Sequence, residues 1–97
     1  MLPRPSTGFI RLITSEQIKA ARMLLGWDQP KLAQHAGVGV ATIRRIESVR
    51  GPVQGSEGSV AKVKAAIEKA GVRFIATTQY GGEGVRKTSK AAKSHQP

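Results

Sequence analysis

The chain has 97 residues, no cysteine, and sixteen Lys and Arg against six Asp and Glu, for a formal net charge of +10 and a pI near 11.0. That length supports one small domain with a modest core, and the missing thiols exclude disulfides and thiolate-held metals. No apolar run approaches the roughly 20 residues that cross a bilayer, so the positive field points to polyanions: nucleic acid first, an anionic membrane surface or an acidic protein second.

The N-terminal segment, MLPRPSTGFIRLI, holds two prolines and a Ser-Thr-Gly cluster before its apolar residues. Residues 1–8 read as an arm, and Phe9, Ile10, Leu12 and Ile13 as a strap packed on the core. The segment has neither a long apolar stretch nor a small-residue cleavage site, so it does not read as a signal peptide and the expected compartment is the cytoplasm. The first helix begins at Thr14. Its hydroxyl accepts a backbone N–H that would lack a partner, and Gln17, three residues on, reaches back to complete a capping box. Ile18, Ala21, Leu24 and Leu25 then fall on one helical face, and Gly26 ends the helix.

Asp28 caps a second helix over 29–36, with Pro30 in the first turn, where a missing N–H costs nothing. Gly37 supplies the left-handed residue that follows, and Val38 plugs the corner. A third helix is expected over 40–49, with Gly39 in the cap position and Gly51-Pro52 closing it. Residues 51–58 read as a loop, and a fourth helix over 59–70 turns Val60, Val63 and Ile67 inward before Gly71 stops it. The period then changes: Gly71 to Ala76 reads as a short strand, bounded by Gln-Tyr-Gly-Gly-Glu-Gly, with residues 84–87 as its antiparallel partner. The last eleven residues contain three lysines, no acid and no large apolar residue, the composition of a disordered basic tail. The expected fold is therefore mainly α, with four to five helices, a short C-terminal β-strand or hairpin and disordered ends. It divides into an arm and strap (1–13), a helical domain (14–71), a β extension (72–87) and a tail (88–97).

Most of the functional information lies in the window 29–47, QPKLAQHAGVGVATIRRIE. Two short helices fit there with a glycine turn between them, and the small Ala33 lets them approach closely at a steep angle. Gly37 accepts positive φ without steric cost. Ile43 and Ile46 bury the inner face of the third helix, leaving Val40, Ala41, Arg44, Arg45 and Ser48 to look outward. A helix held this way can enter a major groove while the second helix aims its N-terminus at a phosphate.

On these residues the stretch from Thr14 to Ala70 resembles the XRE-type helix-turn-helix family, which includes the lambdoid phage repressors. The likeness runs through A-A-R-x-L-L-G-W-x-Q, then x-x-L-A-x-x-A-G-V, then A-T-I-R-R-I-E, and covers roughly 55 to 60 residues. The GVRFI…GGEGVRK segment also looks like an ending found on many small bacterial members. The resemblance implies a repressor-like DNA-binding domain and a sequence-specific transcriptional regulator, a repressor, associated with the bacterial nucleoid. It places Gln29 on a phosphate at the start of the second helix, and Gly39, Val40, Ala41, Thr42 and Arg45 facing bases. Arg22 and Glu47 stand where the phage repressors form a partly buried ion pair between the first and third helices. Arg44 joins the base-reading set, and Lys31, His35 and Arg50 are further phosphate-binding candidates. One departure matters: many members carry Gln, Ser or Arg where this chain has Val40 and Ala41, which cannot hydrogen-bond a base. They can contact a thymine methyl, so hydrogen-bonded reading falls on Thr42, Arg44 and Arg45, and Arg45 can bridge guanine O6 and N7.

The remaining features have plainer readings. Trp27 packs at the first corner rather than offering a base-stacking platform. The Gly81-to-Gly84 run follows a strand but precedes no helix, so it is a hairpin turn and not a phosphate loop. One Asp, two His and scattered Glu assemble no catalytic group, so an enzyme, a cofactor and a metal site are not expected. The expected partners are double-stranded DNA and a second copy of the chain, with half-sites about 34 Å apart and the strand near Val72 to Ile75 as one dimer surface. A different class of function is a protein-binding regulator, an antiactivator or antitoxin that captures a partner protein; apolar Val40 and Ala41 and the strap favour it. A chromatin-type protein that binds DNA without sequence preference is a third.

Overall fold

The computed structural model describes residues 13–53 and 57–88, apart from the side chain of residue 57. The proposed arm, most of the strap and the tail lie outside these residues. Among the described residues there are four helices: α1 (Ser15–Leu25), α2 (Gln29–Ala36), α3 (Val40–Glu47) and α4 (Glu57–Lys69). An antiparallel hairpin of β1 (Val72–Ile75) and β2 (Gly84–Lys87) follows, in the register Val72↔Lys87, Arg73↔Arg86, Phe74↔Val85, Ile75↔Gly84. This is a small, mainly helical domain with a two-stranded β extension.

Local chemistry sets most boundaries. Thr14 Oγ1 accepts from Gln17 N at 3.1 Å while Thr14 N donates to Gln17 Oε1 at 2.8 Å, closing the capping box of α1. The α1 and α2 helices both end on glycines in the left-handed region, Gly26 at φ 69° and Gly37 at φ 73°. Asp28 caps α2 by accepting from Lys31 N at 2.8 Å. Two boundaries differ from expectation. The α3 helix stops at Glu47 rather than 49, because both Ser48 N and Ser48 Oγ donate back to Arg45 O and tighten the chain out of the α-helical path. The α4 helix begins at Glu57 rather than 59, which places Gly58 in its first turn.

The core lies where the four helices and β1 meet. Ile18, Leu32, Ile43, Ile46, Val63, Ile67 and Val72 lose essentially all contact with solvent, and Ile13 and Ala21 lie beside them. Val60 is half-buried. Leu24, expected inward, is 40% exposed. The inward positions on α1 are Ile18, Ala21 and Leu25, spaced three and four apart; Leu24 lies about 120° around the helix from Ile18 and about 100° from Leu25, at the edge of that face. No helix of the described residues is long and apolar enough to cross a membrane.

The side chain of Gln17 ties both strands of the hairpin to α1 by hydrogen bonds. Gln17 Nε2 donates to Ile75 O at 3.0 Å and to Gly84 O at 2.9 Å, while its Oε1 serves the capping box. An amide has two donor hydrogens and one acceptor oxygen, so the buried Gln17 is fully used. Gln17→Ala strands Thr14 N and both hairpin carbonyls at once. Urea unfolding of this variant is expected to show a loss of about 1–3 kcal/mol, with faster amide exchange in β1 and β2.

Candidate nucleic-acid interface

The α2–turn–α3 unit is built from the turn outward. Val38 N donates to Ala33 O at 3.1 Å, which returns the chain over the end of α2 and starts α3 at a new angle. Ala33 is buried in the core cluster, where a larger side chain would need space that the packed helices do not leave. Along α3, Ile43, Ile46 and Glu47 are buried, while Ala41, Arg44 and Arg45 are exposed and Thr42 is half-exposed. Val40, one of the proposed base contacts, is half-buried and packs partly on the core. Gly39, the N-cap, is exposed and makes no side-chain cap, so backbone and open space occupy that end of α3.

Glu47 holds this unit to α1. Its carboxylate is 3% exposed and receives Arg22 as a two-pronged fork, Nε to Oε2 at 2.8 Å and Nη2 to Oε1 at 2.9 Å. Arg22 Nη1 also donates to Trp27 O at 3.1 Å, at the α1–α2 corner. The hydrogen bond to Glu47 holds the Arg22 guanidinium above its ordinary pKa, with burial opposing and the charges of Glu47 and Asp28 adding. Gln29 Nε2 completes the cluster at 3.1 Å from Glu47 Oε1. Gln29 is therefore turned toward the carboxylate, with one amide hydrogen left for another acceptor.

The candidate phosphate contacts spread along the surface around this cluster. Lys31 is exposed in the first turn of α2, and Arg50 is exposed just past α3, where it lies 3.8 Å from Glu16. His35 stacks on Trp27, ring centroids 4.1 Å apart and planes 11° from parallel. Trp27 thus packs at the first corner, and the His35 ring covers part of it. Sequence reasoning did not show three of these contacts: Gln29 with Glu47, His35 with Trp27, and the bond from buried Ser15 Oγ to Ile46 O. Each joins residues on different elements, and no spacing rule within one helix signals them. Among the described residues no three His, Cys, Asp or Glu gather in a metal-binding group. Compared with known proteins, the chain matches no family model and no curated sequence.

Two outcomes test this geometry. Glu47→Ala leaves the Arg22 guanidinium, 16% exposed, without its carboxylate, and chemical denaturation is expected to show a loss of about 3–5 kcal/mol. Replacing both partners by Leu is expected to recover most of that loss. The second concerns acid. Gly51 N donates to Glu16 Oε1 at 3.0 Å, and this bond above all holds Glu16 below its ordinary pKa of 4.5, helped by its own N–H, Arg50 and Lys19. A carboxylate depressed on folding stabilises the fold above its unfolded value and loses that contribution as pH falls through its folded value. NMR titration is expected to place Glu16 below 4.5, and Glu16→Gln to flatten the acid limb of the stability curve.

Proposed function

We propose that the chain is a sequence-specific DNA-binding transcriptional regulator, a repressor, with a repressor-like helix-turn-helix formed by α2 and α3. The observation that carries this is the α3 surface. Its inner side is locked by Ile43, Ile46 and the Glu47 cluster, and its outer side offers Ala41, Thr42, Arg44 and Arg45 with no acid among them. The net charge of +10 supplies the field that brings such a surface to a duplex.

In this reading α3 enters the major groove from Gly39 onward. Arg45 bridges guanine O6 and N7, Thr42 and Arg44 make further edge contacts, and Ala41 with the exposed part of Val40 meets thymine methyls. Gln29 donates its second amide hydrogen to a phosphate at the start of α2, where the helix dipole favours an anion. Lys31, His35 and Arg50 extend the backbone contacts. Dimerisation would set two α3 helices about 34 Å apart on a near-palindromic site. In a bacterial cell such a protein would be cytoplasmic and nucleoid-bound.

A second reading, a protein-binding regulator such as an antiactivator or antitoxin, draws on a different surface. Met23 is 72% exposed and Leu24 40% exposed on the solvent side of α1, next to one another. Co-purification of a single partner with no gel shift at moderate salt favours that reading and removes the repressor. For the first reading, Arg45→Ala is expected to cost roughly 1–3 kcal/mol on the DNA upstream of the protein's own gene and little on random DNA. Equal weakening on both, in the same gel-shift series, makes Arg45 a phosphate contact instead.

A further inference from the structure

The outer face of the hairpin carries a charge arrangement that the fold itself does not need. Residues opposite one another in antiparallel strands project to the same side, so the register sets Arg73 and Arg86 together on one face. Val72, Phe74 and Val85 fill the other face, against the core. Both arginines are exposed, and neither forms an ion pair among the described residues. Like charges directly opposite in a sheet repel. The one acid of segment 71–88, Glu83, accepts from Thr77 Oγ1 at 3.4 Å in the loop between the strands. An open groove of about 780 Å³ runs here, lined by Arg73, Phe74, Ile75, Arg86, Lys87 and Thr88.

We propose that this face is a second phosphate-binding surface, which grips the backbone of the duplex beside the segment held by α3; it rests on the DNA-binding reading of α3. Opposed residues have Cβ atoms about 4.5–5.5 Å apart, close enough for two guanidiniums to converge on one phosphate or on neighbouring ones. Each guanidinium fork can donate two parallel hydrogen bonds to a phosphate. An anion between them turns the repulsion of the pair into attraction.

The position of the hairpin supports a duplex as the occupant. Gln17 bonds to Ile75 O and Gly84 O, the pair two residues from the arginines on each strand. Two residues earlier, Ser15 bonds to Ile46 O in α3. One helical turn thus carries both attachments, so the arginine face and α3 belong to one rigid body. Tyr80, 89% exposed in the loop, adds an aromatic ring at the far end of the hairpin.

The test titrates the full chain against a labelled mixed-sequence duplex of about 30 bp over a range of salt, comparing wild type, R73Q/R86Q, R73K/R86K and R44Q/R45Q. R73Q/R86Q is expected to bind about 10- to 50-fold more weakly near 0.1 M salt and to lower the salt slope by about 1–2. R73K/R86K keeps the charges and is expected to keep most of the slope. R73Q/R86Q should melt no lower than wild type, since it removes a like-charge pair. If R73Q/R86Q retains the wild-type slope while R44Q/R45Q loses it, the hairpin proposal is overturned and the α3 reading stands. The hairpin proposal also falls if the Gln variant loses binding to anionic vesicles but keeps its slope on the duplex. If the wild-type chain binds no duplex, both readings are overturned.

Discussion

The arrangement of α3 depends on a carboxylate buried where three helices meet. Ionised Glu47 could not lie in that position alone, because taking a charge out of water costs several kcal/mol. It is tolerated because Arg22 from α1 and Gln29 from α2 both bond to it. Apolar burial by Ile43, Ile46 and Leu32 supplies the larger share of the cohesion, but that force has no direction. Directional bonds converging on one carboxylate restrict how α3 can roll against its neighbours. The further bond from Arg22 to Trp27 O ties the same cluster to the corner that sets where α2 begins.

A second set of bonds spreads from the first turn of α1. Ser15 reaches Ile46 O, Glu16 accepts from Gly51 N, and Gln17 holds the hairpin at Ile75 and Gly84. Three consecutive residues of one turn point in different directions around the helix and so reach three separate parts of the chain. The short β extension gains its order this way, since an isolated two-stranded hairpin is marginal in water. Its packing of Val72 and Phe74 under the helices adds the apolar part.

These supports leave the outward surfaces free of structural duty. On α3 that means Arg44 and Arg45; on the hairpin, Arg73 and Arg86. The cost is visible in each case. Val40 gives part of its surface to the core, which narrows the exposed apolar surface at the start of α3. The hairpin places two cations opposite one another, a choice that weakens an isolated sheet.

Much of this fold could be read along the chain because the relevant chemistry is local. The Thr14–Gln17 box, the Asp28 cap and the left-handed Gly26 and Gly37 involve residues within a turn of one another, so residue type and spacing suffice. The alternation of Val72, Arg73 and Phe74 likewise announces a strand with one buried face. What the chain order could not supply was the partner of each polar side chain across elements. Gln17 read as a cap and was also the hairpin's anchor; Gln29 read as a phosphate ligand, and what the structure shows is its bond to Glu47. Leu24 and Leu25 look alike in sequence, yet only one finds core, because a 100° step on a helix decides burial once the neighbouring helices are placed. Local bonds are set by spacing, whereas burial and long-range pairing are set by which surfaces meet, and only the tertiary structure decides that.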